Sequence, residues 1–86
     1  MDKLTEKQYN ILMYIVDHVI KKMYQPSFRE IADHFAVSQS AIHQTLHWCE
    51  KKGWIQLISA QGRSIVINYL LVQLYKGAEK KEKWVK

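Results

Sequence analysis

Apolar residues recur at helical spacing through the first half of the chain and at alternating spacing after Gly53. In the first segment Tyr9, Ile11, Leu12, Ile15, Val16, Val19, Ile20 and Met23 cover roughly half of a helix circumference, a face wide enough to be wrapped by other elements. Thr5 followed by Gln8 is a capping-box pattern, so the spacing predicts a helix from there to about Lys22. Pro26 cannot continue that helix but suits the approach to a new one. Ser27 with Glu30 repeats the capping box and opens a short helix whose apolar positions are Phe28, Ile31, Ala32 and Phe35. Ala36 and Val37 make a turn, and Ser38 caps a third helix that runs to about Lys52. Gly53 lies just past its end, where a left-handed residue is favoured, and Lys51 and Lys52 sit beside the helix's negative pole.

Beyond Gly53 the runs "WIQLI" and "SIVINY" are rich in β-branched and aromatic residues and flank "SAQGR", in which Gly62 permits the positive φ of a hairpin loop. The predicted order is therefore three helices followed by a two-stranded hairpin, a mainly α fold. No internal repeat is visible. The first 69 residues form one domain in this reading, and residues 70–86 are an apolar segment followed by a basic tail.

The tight turn between the second and third helices changes what the fold can be for. So short a connection makes the third helix cross the second steeply, an arrangement best known for presenting a helix to a DNA groove. At 100° per residue, Ile42, Leu46 and Cys49 fall together on the third helix as a core face, with Thr45 at its edge. Ser40, Gln44, His47 and Lys51 fall within about 60° of one another on the opposite side. His43 flanks that stripe on one side, and Ala41 with Trp48 flanks it on the other. The stripe contains no acid, which would repel phosphate, and its side chains can bond base edges and backbone. Ser38, Gln39, Ser40, Ala41, His43, Gln44, His47 and Lys51 are thus the candidate DNA-contacting residues on this helix. Arg63, after Gly62 at the hairpin tip, is a cation placed to meet phosphate or a minor groove.

The segment Leu4 to Phe35, "LTEKQYNILMYIVDHVIKKMYQPSFREIADHF", resembles the N-terminal DNA-binding domain of LexA-type repressors. The likeness rests on Leu4, Thr5 and Gln8 at the first helix start and on Pro26, Ser27, Glu30, Ile31 and Ala32 at the second. The later "KKGWIQLI" is similar to that family's step from recognition helix into wing, and the likeness spans residues 4–69. It implies a winged helix-turn-helix with the third helix in the major groove and the hairpin on the backbone. By position, the family's base-reading segment corresponds to Ser40, Ala41, His43 and Gln44. The family's Asn and paired Glu are not kept there, so the LexA operator sequence is not expected to be the one recognised. The family often has Gly where this chain has Ala36, and the turn here is one residue shorter. LexA-type repressors continue into a self-cleaving domain with a Ser–Lys pair, and no room for one is expected before Lys86.

Composition adds limits rather than direction. Eighty-six residues with 48% hydrophobic content make one small ordered domain. The net charge of +5 divides unevenly: residues 1–37 balance, residues 38–75 carry +2, and residues 76–86 carry +3. Most of the excess lies in the tail, so charge alone says little about DNA. The longest apolar run, "ILMYIV", is too short to span a bilayer. A single cysteine, Cys49, excludes an internal disulfide and points to a reducing compartment, the cytoplasm.

The chemistry of an enzyme is not legible. His43 and His47 have metal-ligand spacing, but Cys49 lies on the buried face, and the metalloprotease glutamate is missing. No base stands beside Cys49, and there is no phosphate-cradling glycine loop. No catalytic residue, metal or cofactor is expected. The apolar run Tyr69, Leu70, Leu71, Val72, Leu74 and Tyr75 exceeds what a hairpin strand needs. Two copies could join through it, as regulators on two half-sites do; alternatively it folds back under the first helix. Two functions remain: a sequence-specific double-stranded DNA regulator, repressor-like, or a winged-helix protein-interaction module.

Overall fold

The computed structural model describes residues 3–58, 64–68, 71–74 and 77. Its elements are α1 (Glu6–Lys22), α2 (Phe28–Phe35), α3 (Gln39–Lys51), β1 (Ile55–Ile58) and β2 (Ser64–Ile67). Helices and hairpin follow in the expected order, a winged helix-turn-helix. The hairpin loop with Gly62 and Arg63 lies outside the described residues.

Both capping boxes form. Thr5 Oγ1 accepts from the Gln8 N–H at 3.2 Å while Gln8 Oε1 accepts from the Thr5 N–H at 3.0 Å. At α2, Ser27 Oγ accepts from the Glu30 N–H and Glu30 Oε1 from the Ser27 N–H, both at 3.0 Å. That backbone bond from Ser27 is the main reason the Glu30 carboxyl is held below the usual carboxylate range.

The core gathers one face of each helix and the inner face of the hairpin: Ile11, Leu12, Ile15, Val16, Phe28, Ile31, Ala32, Ile42, Leu46, Cys49, Ile55 and Ile65. Tyr14 joins α1 to the end of α2, stacked on His34 at 4.2 Å and edge-on to Phe35 at 5.6 Å. The apolar arc of α1 is covered only in part. Ile20 is exposed, and Met23 is 85% exposed in a left-handed C-cap conformation, φ 67°.

The core also reaches past residue 69. Leu71 is fully buried and Val72 packs against the cluster, with residues 71–74 in a helical turn. Leu71 therefore belongs to this chain's own core and is not free for the interface between copies expected of residues 69–75. Leu74, 41% exposed, keeps that freedom; Tyr69, Leu70 and Tyr75 lie outside the described residues.

The helix-turn-helix junction uses a residue poorly suited to it. Ala36 closes α2 at φ 57°, ψ 44°, and the Val37 N–H reaches back to the Ala32 carbonyl at 3.0 Å. A left-handed conformation costs a Cβ-bearing residue roughly 1–2 kcal/mol, a penalty glycine escapes. Ala36→Gly is expected to stabilise the fold by roughly 1 kcal/mol and raise the melting midpoint by about 4–8 °C. A thermal melt followed by circular dichroism checks this, and an unchanged or lower midpoint contradicts it.

Candidate nucleic-acid interface

α3 is held in place at both ends. At its start Ser38 Oγ accepts from the Ala41 N–H at 3.1 Å, so this hydroxyl is committed to the cap. At its end Gly53 takes φ 89°, the left-handed conformation expected of it. Lys52, beside it, donates to the Lys3 carbonyl at 2.8 Å and to Gln8 Oε1 at 2.7 Å, tying the end of α3 to the start of α1. Its charge is used inside the fold, whereas Lys51 points outward.

Ile42, Leu46 and Cys49 form the buried face of α3, as the spacing predicts. Burial pushes the Cys49 thiol up to about 11, so it supplies no thiolate at neutral pH. Among the described residues no three His, Cys, Asp or Glu side chains come close enough to hold a metal ion.

The opposite face is open. Gln39, Ser40, His43, Gln44 and His47 together line one shallow concavity of about 570 Å³. Five of the predicted contact residues thus share one surface. Ala41 is half-buried, with its carbonyl accepting from Thr45 Oγ1 at 2.9 Å, so it contributes backbone packing more than a side chain. Lys51 Nζ lies 5.3 Å from the centre of the Trp48 ring, and the His47 ring stands edge-on to the same indole at 5.9 Å. Trp48 is 48% exposed. The His43 ring packs edge-on against Phe28 at 4.8 Å, which fixes its position from α2. Arg63 lies outside the described residues.

Residues 1–64 match the family described as LexA DNA binding domain. The chain belongs to that family. A LexA repressor of Leptospira biflexa is 42% identical over 65 residues, covering 76% of this chain and 32% of that protein. A LexA repressor of Shouchella clausii is 43% identical over 68 residues, covering 78% and 33%. The chain thus spans about a third of the length of these relatives. In fold it is similar to MepR, a transcription regulator of the Staphylococcus aureus multidrug efflux pump MepA, with TM-score 0.70 and 19% identity over 96% of this chain and 63% of that one. ZitR of Lactococcus lactis gives TM-score 0.70 at 18% identity, over 96% and 56%. Family and fold agree with the resemblance carried by Leu4, Thr5, Gln8, Pro26, Ser27, Glu30, Ile31 and Ala32.

Three features escaped the helical-wheel reading. Trp48 lies under the Lys51 ammonium, a pairing that i,i+3 spacing allows but does not announce, and its chain neighbour His47 stands edge-on to the same ring. Gln25 and Glu50 bond backbone groups of the hairpin. Glu50 is an acid on the helix that offers its polar face to a ligand, yet its carboxylate turns inward and accepts from the Leu57 N–H at 2.8 Å.

Proposed function

We propose that this chain binds double-stranded DNA sequence-specifically and acts as a repressor-like regulator of transcription, in the cytoplasm. α3 enters the major groove and the hairpin wing follows the phosphate backbone. The observation that carries this reading is the acid-free surface of Gln39, Ser40, His43, Gln44 and His47, presented directly after a tight inter-helix turn. Gln and His side chains match base-edge donors and acceptors, and Lys51 at the far end suits a phosphate. Family membership supports the same reading. The residues differ from the family's own base-reading set, so the preferred site is this chain's own.

Two copies bind two half-sites, joined through a surface that includes the exposed Leu74. Selection of bound duplexes from a random pool, followed by affinity measurements across a salt series, tests the proposal. A preferred site should emerge, and log affinity should fall linearly with log salt. Binding that selects no sequence and ignores salt would indicate a protein-interaction module instead. Within this scheme Arg63→Ala is expected to weaken binding to all duplexes about equally and to lower the salt slope by roughly one. An unchanged slope would take the wing out of the interface.

A further inference from the structure

β1 and β2 pair only with each other among the described residues, so each strand has an outer edge. The register shows what those edges do. Leu57 and Ile65 stand directly opposite one another. In an antiparallel pair, alternate residue pairs turn their backbone groups outward, away from the partner strand. Here the Leu57 N–H bonds to Glu50 Oε2 at 2.8 Å on one side. On the other side the Ile65 N–H donates to Gln25 Oε1 at 3.0 Å, and the Ile65 carbonyl accepts from Gln25 Nε2. A single carboxamide thus makes both bonds that a neighbouring strand would make.

We infer that Gln25 is a positioning residue for DNA binding: its carboxamide stands in for a third strand and fixes the wing's angle to α3. Glu50 sits on α3 itself and anchors β1, while Gln25 lies between α1 and α2 and anchors β2 across 40 residues of chain. Both anchors grip the same residue pair from opposite edges. A two-stranded hairpin is marginal by itself, and the chain enters this one through a left-handed turn at Gly53, φ 89°. With both edges held, wing and reading helix meet a duplex as one rigid surface. The residue type fits the task. Glutamine offers a donor and an acceptor together, whereas glutamate would face the Ile65 carbonyl with a second acceptor. Pro26 follows and is buried, and a residue before proline is kept extended, as an edge strand would be.

This inference rests on the DNA-binding reading above, and the two can fail separately. Wild type, Gln25→Met, Gln25→Ala, Arg63→Ala and the Gln25→Met/Arg63→Ala pair are titrated with the selected duplex over a salt series. Methionine keeps the length and apolar stem of the side chain while removing both bonds. Either Gln25 variant should bind roughly threefold to tenfold more weakly, with the salt slope lower by about one and the preferred bases unchanged. In the Arg63→Ala background, Gln25→Met should cost nothing more, because the contact it positions is already gone. A residue with only a structural role would give additive losses. Additive losses, or wild-type affinity and slope in both Gln25 variants, would overturn the inference and leave DNA binding intact. A wild type without salt-dependent affinity for DNA would overturn both.

Discussion

Leu71→Glu is expected to leave the protein unfolded or barely folded at room temperature. The Leu71 side chain has no exposure to solvent and belongs to the same apolar cluster as Ile11, Leu46 and Ile65. The charge would enter a site without a partner, and breaking a core in this way costs at least about 3–5 kcal/mol. A chain of this size has a total stability of only roughly 4–13 kcal/mol. Leu71→Ala creates a cavity instead of burying a charge, and should cost about 2–5 kcal/mol. Leu74→Glu, three residues on, begins from an exposed position and should change stability by no more than about 0.5 kcal/mol. Chemical denaturation of the three variants separates these cases. Leu71→Glu melting like wild type would put residue 71 outside the core. Because Leu74→Glu leaves the fold intact, it also tests assembly on DNA: loss of two-copy binding in sedimentation would support Leu74 as part of the interface, and unchanged assembly would remove it.

Gln44→Ala is expected to cost roughly 1–3 kcal/mol of affinity for the preferred site, about tenfold to more than a hundredfold. Gln44 lies in the second turn of α3, exposed, on the concave surface shared with Ser40, His43 and His47. Its carboxamide can accept and donate at once, matching the acceptor and donor that adenine presents in the major groove. Removing it leaves the Ser38 cap and the buried Ile42 and Leu46 untouched, and alanine is the better helix former. Binding to random DNA should hardly change, and selectivity should relax at one base pair. Ser38→Ala is the matching control. It deletes the bond to the Ala41 N–H and should lower stability by about 1 kcal/mol without relaxing sequence choice. Equal losses on preferred and random duplexes for Gln44→Ala would mean that this face does not read bases.

Much of this molecule was determined by interactions between near neighbours in sequence, and these were legible. Capping boxes bind residues three apart, so Thr5 with Gln8 and Ser27 with Glu30 mark where α1 and α2 begin, whatever the rest of the chain does. Helical spacing likewise separates Ile42, Leu46 and Cys49 from Ser40, Gln44 and His47, and the fold keeps that separation. The change to alternating apolar residues after Gly53 marks the hairpin for the same reason.

Tertiary structure decided what depends on distant partners. Met23 and Ala36 take left-handed conformations that neither residue favours locally, because the packed helices require the chain to turn there. For Leu71 the sequence leaves both an interface between copies and a fold back under the first helix open, since no periodic pattern shows which core can receive it; the assembled helices and hairpin provide that core. Gln25 and Glu50 are ordinary polar residues until Ile65 and Leu57 arrive with unpaired backbone groups, 40 and 7 residues away. Side-chain to backbone bonds of that span leave no spacing rule in the sequence, because their geometry exists only once α1, α2, α3 and the wing are in place.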